Sequence, residues 1–95
     1  MLTGGWRSID PAEVDGKVRD TAAAYLGEQV AGVTISDILK AATQVVRGMN
    51  TVLLVRASTE AHYVMVVWFD LKKCTVTTFK EYVGDVAAFR WPESQ

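Results

Sequence analysis

Apolar residues return at three- and four-residue intervals from Val14 through Val18, Ala22, Tyr25 and Leu26 to Val30, while Asp15, Lys17, Arg19, Asp20 and Glu28 fall mostly between them. That spacing predicts one amphipathic helix with a single buried side. Its start is expected near Asp10, which suits an N-cap, with Pro11 at the first helical position and Glu13 three residues after the cap. Ala31-Gly32 reads as the stop signal, so the helix would make roughly five turns. Gly16 and Gly27 each weaken it by about 1 kcal/mol relative to alanine, so it needs a sheet to pack against.

Beyond the helix the pattern becomes that of strands. Val33 to Val46 mixes Val, Thr and Ile with small residues and reads as a long strand with a bulge near Asp37. Asn50 to Ala57 is β-branched and aliphatic, and Ser58-Thr59-Glu60 is a turn signal. His62 to Phe69 is the most apolar segment, a strand expected near the centre of the sheet. Asp70-Leu71-Lys72-Lys73 breaks it, Thr75 to Tyr82 is threonine-rich and β-prone, and Val83-Gly84-Asp85 ends that strand. Phe89 and Trp91 are expected to pin the tail to the sheet or the helix. The leading segment Met1 to Ser8 carries no period, and Gly4-Gly5 makes it flexible. Short connections imply an antiparallel meander, and the helix must cover one of its faces. The expected fold class is therefore α+β: one long helix on a four-stranded antiparallel sheet, with a short N-terminal strand as a potential fifth. Ninety-five residues suit one domain, 1–95, with one modest core.

The link between the first two strands is unusual. Thr43 to Asn50 contains Gly48 and Asn50, which tolerate the left-handed backbone of a tight hairpin. It also contains Val45 and Val46, where turn tips favour Gly, Asn, Asp, Ser and Pro. An apolar tip in water points to a partner surface that covers it.

Composition narrows the function classes. With 49% hydrophobic and 22% charged residues, the chain has the balance of a soluble globular domain. A net charge of -1 gives no pull toward nucleic acid or an anionic membrane, and Lys72-Lys73 is too small a basic patch to read as a nucleic-acid site. No apolar run is long enough to span a bilayer, and no basic flank with an apolar stretch behind it opens the chain. Cys74 is the single cysteine, so no disulfide can form within the chain. These features suit a reducing, cytoplasmic setting, with secretion by another route left open. Catalysis is disfavoured: His62 and Cys74 are the only residues of their types, both in expected strands without a Gly-rich oxyanion loop beside them. Two such residues are also too few for a Cys/His zinc site, and no metal or cofactor is expected.

Three pieces together resemble the cystatin family, most of all its stefin (type 1) branch. Gly4-Gly5 is followed by an apolar residue, Trp6. Gln44-Val45-Val46-Arg47-Gly48 fits the family's Gln-x-Val-x-Gly hairpin. Asn50 to Ala57 and Ser58 to Leu71 run like the next two strands of a stefin, Val55-Arg56-Ala57 in particular. The resemblance covers most of the chain and agrees with the helix-then-strands order. It implies a cystatin-like fold and a non-enzymatic role: reversible, tight inhibition of papain-like cysteine proteases of the cathepsin type. It further implies a wedge, made of a flexible trunk (1–8) and two hairpins, that fills the protease cleft. Leu2 would enter an apolar pocket, Gly4 and Gly5 would pass close to the nucleophile, and Gln44 would orient the first hairpin through side-chain hydrogen bonds. Val45 and Val46 would bury against the cleft wall, and Gly48 would permit the bend. Arg47 brings a charge to the tip and is expected to tune association with acidic cleft rims.

The second hairpin departs from the family. Only Leu71 fits; Leu71-Lys72-Lys73 has neither the Pro-Trp of secreted cystatins nor the Leu-Pro of typical stefins, and Trp91-Pro92 stands in reversed order in the tail. The protease-contacting set implied by the resemblance is thus Leu2, Gly4, Gly5, Gln44, Val45, Val46, Arg47, Gly48, Leu71 and Lys72, in a monomer. Two other readings stay open: a cystatin-fold binding module without inhibition, and a strand-exchanged dimer made by opening the Val45–Asn50 hairpin, which would bury the wedge.

Overall fold

The computed structural model describes residues 5–92. The first element is a strand, β1 (Arg7–Ile9), which takes Arg7 and Ser8 out of the unpatterned leading segment. Asp10 then caps a separate 3-10 turn, Pro11–Glu13. Its carboxylate accepts from the Ala12 N–H at 2.9 Å, and the Glu13 carboxylate accepts from the Asp10 N–H at 3.3 Å. The turn stops at Val14, whose backbone is extended. Asp15 supplies a second cap, accepting from the Lys17 N–H at 2.8 Å, and helix α1 runs Gly16–Gln29. The expected helix start at Asp10 is therefore wrong by one turn. The capping box closes on a turn of its own, and the bend after it brings Val14 into the core, where it is buried. Gly16 thereby sits at the first helical position and spares the helix interior its entropic cost. At the other end Gly32, with φ of 79°, lets the Val33 N–H reach the Val30 carbonyl at 3.0 Å.

Four longer strands follow: β2 (Ile35–Val46), β3 (Gly48–Ala57), β4 (His62–Phe69) and β5 (Cys74–Tyr82). They form one antiparallel sheet in the order β1-β2-β3-β4-β5, so the meander is present with the short N-terminal strand as its fifth member. β2 carries two register shifts, between Ile35 and Asp37 and between Ile38 and Lys40, where the sequence suggested one bulge near Asp37. Asp37 pairs with Arg56 across the first of them, an exposed contact of little energetic weight. No helix among the described residues is long and apolar enough to cross a membrane.

Both faces of the sheet are covered. On the front, Val14, Val18, Ala22 and Leu26 pack on Leu53, Val55, Met65 and Val67. Tyr25 meets Phe79 edge-on at 5.5 Å, and Phe79 stacks on Tyr63 at 5.3 Å. On the back, Val52, Leu54, Val64 and Val66 lie under Trp6, Tyr82, Val86, Phe89 and Trp91. The tail reaches them through a 3-10 turn, Val86–Ala88, capped by Asp85. Phe89 and Trp91 thus pin the tail to the sheet, not to the helix. Burial from both sides explains why β4 reads as a continuous apolar run instead of an alternating one.

Leu26 is fully buried at the helix–sheet contact. Leu26→Ala is expected to lower unfolding stability by about 2–5 kcal/mol, measured as a shift of the urea midpoint at constant m-value.

Candidate functional site

The hairpin joining β2 to β3 turns at Arg47, between the paired residues Val46 and Gly48. Gly48 has φ of 96°, and a side chain there would have no room. An added Cβ would run into the Phe69 carbonyl oxygen and sit 3.1 Å from the Asp70 Cα. Trp68 reinforces the turn from the neighbouring strand: its indole Nε1–H donates to the Arg47 carbonyl at 2.8 Å. Gln44 is 4% exposed, and its Oε1 accepts from Asn50 Nδ2 at 3.3 Å. Gln44, Asn50 and Trp68 stand opposite one another across three strands, so they share the back face. Val45, Met49 and Phe69 form the matching row on the front. The two rows divide the work: the polar one braces the tip, and the apolar one is displayed.

The loop from β4 to β5 is organised by Asp70. Its Oδ1 accepts from the backbone N–H of Lys72 at 2.9 Å and of Lys73 at 2.8 Å, and its own N–H donates to the Lys73 carbonyl at 3.2 Å. The bonds from Lys73 and then Lys72, with the nearby Lys73 charge, hold the Asp70 carboxyl below its ordinary range. Leu71 takes a left-handed φ of 79°, unusual for leucine, and its side chain points into solvent.

These loops lie at one end of the sheet, because Met49, beside the first tip, pairs with Phe69, beside the second. Arg7 pairs with Thr43, so the chain ahead of β1 emerges at that end too, and Gly5 is exposed with open space around its Cα. Four large apolar side chains are exposed among the described residues: Val45 (68%), Met49 (39%), Leu71 (78%) and Val83 (86%). The first three lie at this end; Val83 follows Tyr82, which pairs with His62 at the other. A cavity of about 270 Å³ opens beside them, between α1 and the sheet, with Val14, Val18, Met49, Phe69 and Leu71 in its lining.

No protein-family model and no curated protein matches the sequence. Solved structures do. A salivary cystatin from the soft tick Ornithodoros moubata superposes with a TM-score of 0.68 at 20% identity, covering 86% of this chain and 100% of that one. Mialostatin, a gut cystatin from the hard tick Ixodes ricinus, superposes with a TM-score of 0.66 at 18% identity, covering 85% of this chain and 100% of that one.

The chain has the cystatin fold.

Within that fold, Gly5, Gln44 to Gly48, Leu71 and Lys72 come together at one end of the sheet, while Leu2 and Gly4 lie outside the described residues. Asn50, which the sequence reading placed at the start of the second strand as well as in the hairpin link, is a strand residue paired with Gln44. Val46 is half-buried and Val45 well exposed, so the two valines are not equivalent. Sequence reasoning missed Met49, Trp68 and Asp70. Asp70 could have been found, since Asp before a short polar run is an Asx-turn residue; Met49 could have been found from its alternation with Val45 around the turn. His62 pairs with Tyr82 and Cys74 with Phe69, at opposite ends of the β4–β5 ladder, so they form no catalytic pair. Among the described residues no group of three or more His, Cys, Asp or Glu could hold a metal ion.

Two outcomes follow from this geometry. Gly48→Ala combines an unfavourable φ with a backbone clash and is expected to cost at least about 1–3 kcal/mol in unfolding stability, read by chemical denaturation. Asp70 is a carboxylate whose folded-state pKa is lowered. Its contribution to loop order is therefore fully present above the ordinary aspartate value of about 4 and lost as pH falls through the lower folded value. The backbone amide NMR shifts of Lys72 and Lys73 should stay constant from neutral pH to about pH 4 and move below it, whereas in Asp70→Ala they should be displaced at every pH.

Proposed function

We propose that this chain is a reversible, tight-binding inhibitor of papain-like cysteine proteases, cathepsin-type enzymes included, acting as a monomer. The observation that carries this reading is the gathering of Val45, Met49 and Leu71, three of the four exposed large apolar side chains among the described residues, at the end of a cystatin-fold sheet where both hairpins and Gly5 meet. An apolar edge on two braced loops suits insertion into a cleft: it gains burial there without first having to be ordered.

In this reading Val45 buries against the cleft wall with Met49 beside it. Gln44 acts from behind by holding Asn50, and Gly48 lets the tip lie against the Phe69–Asp70 backbone. Leu71 and Lys72 present the second contact, Leu2 and Gly4 with Gly5 the third, and Arg47 meets the rim of the cleft. None of these groups is a nucleophile or a general base, and none needs a cofactor. The single cysteine and the Val55-Arg56-Ala57 segment support a stefin-like, cytoplasmic placement.

Titrating papain with the monomeric fraction from size-exclusion chromatography, while following residual hydrolysis, is expected to give a stoichiometric loss of activity. A folded monomer that leaves hydrolysis untouched sinks the reading. Val45→Ala should raise the inhibition constant about tenfold, from the loss of roughly two buried methyl-sized groups.

A further inference from the structure

The cavity between α1 and the sheet is more than a gap beside the loops. Its walls are apolar, with Val14 and Val18 on the helix side and Met49, Phe69 and Leu71 on the other. Its polar groups come from two places. Thr43 and Thr51 face each other across β2 and β3, on the same side of the sheet as Met49, and form the floor. Glu13 and Asp15, both exposed, stand at the rim beside the start of α1.

Thr51 is the residue that points to a ligand. It is 4% exposed, yet its hydroxyl makes no hydrogen bond among the described residues. Nor is that oxygen sealed in by protein: the enclosed side-chain atom left unpaired among the described residues is Arg56 Nε. The Thr51 hydroxyl therefore opens onto the cavity that it lines. A hydroxyl this deep ordinarily has a partner, and here the partner has to enter the cavity.

The rim fixes the charge of what can enter. One Asp15 oxygen accepts from the Lys17 N–H at 2.8 Å, and one Glu13 oxygen accepts from the Asp10 N–H at 3.3 Å. The second oxygen of each makes no hydrogen bond among the described residues. Neither lysine nor arginine lines the cavity among those residues. Lys17 turns its ammonium over the Phe69 ring instead, 5.8 Å from the centroid. The start of α1 contributes roughly half a positive charge, which two carboxylates outweigh. The rim therefore suits a cation.

We infer that this cavity is a binding site for a small amphipathic cation: one apolar ring with an ammonium group at one end and a hydroxyl at the other. The ring displaces water from Val14, Val18, Met49 and Phe69, the hydroxyl pairs with Thr51, and the ammonium meets Glu13 and Asp15. The cavity holds about 270 Å³. Drug-sized sites start near about 300 Å³, so the space suits a single ring. The site needs no protease, and it stands independently of the inhibitor reading.

Tyramine has this pattern and is the probe. Titrated into the isotope-labelled full chain, it is expected to shift the amide NMR signals of Val18, Met49 and Thr51 saturably. Its dissociation constant should be about 1 mM or below, the range open to roughly ten non-hydrogen atoms. Phenethylamine lacks the hydroxyl and para-ethylphenol lacks the ammonium; each should bind about fivefold more weakly. Glu13→Gln combined with Asp15→Asn keeps both caps and removes both charges. It should weaken tyramine about fivefold and leave para-ethylphenol unchanged. Thr51→Val keeps the shape and removes the hydroxyl. It should weaken tyramine by about the same factor and leave phenethylamine unchanged. The comparison of the three compounds uses the unaltered chain, so it decides the matter even where a variant fails to fold. No saturable shift, shifts away from the cavity, or equal affinity for all three compounds overturns the inference and leaves a cavity that holds water only. Variants that weaken all three compounds alike overturn it too.

Discussion

The structure depends on burying β3 and β4 from two sides at once. Val52, Leu53, Leu54 and Val55 are all fully buried, and they alternate between the helix side and the tail side. Neither cover is self-sufficient. α1 has 14 residues, close to the length at which an isolated helix is marginal in water. The tail has one 3-10 turn and otherwise depends on its aromatic rings. The strands therefore need both covers, and each cover needs the strands. This mutual need also fixes register. Sliding a central strand by one residue would exchange its helix-facing and tail-facing sets, so neither cover would fit. Fixed register is what keeps Met49 opposite Phe69, and with it the two loops side by side.

Alternation along the strands separates support from display at the loop end. Gln44, Asn50 and Trp68 face the back, where two hydrogen bonds hold the tip. One residue along, Val45, Met49 and Phe69 face the front. The second loop reaches a similar state differently: Asp70 gathers the amides of Lys72 and Lys73, and Leu71 is left projecting from a backbone conformation that leucine rarely adopts.

Local signals were legible in the sequence wherever a pattern was strong and needed no distant partner. The helical phase of Val18, Ala22 and Leu26, the limits of β4 and the left-handed backbone at Gly48 all match the structure. The helix start did not, because Asp10-Pro11-Ala12-Glu13 is a sound cap whether the turn it opens continues or stops. Stopping there is a tertiary decision, made by the burial of Val14. The second shift in β2, between Ile38 and Lys40, was hidden for a related reason: it is a mismatch with Val55 and Leu54 on another strand. Trp68 bonds a carbonyl 21 residues away, and Trp6 one 86 residues away. No spacing rule reaches that far, so both tryptophans read only as apolar bulk.

The bond between Trp68 and the Arg47 carbonyl has a thermodynamic consequence. A loop ordered only by its target gives up backbone freedom at the moment of contact, about 1–2 kcal/mol for each residue fixed. Here that loss is incurred during folding, when the indole takes hold of the turn. A partner docking at this end, as proposed, would meet a tip already fixed, with a small entropic penalty from the backbone and with side-chain rotamers the main thing left to adjust.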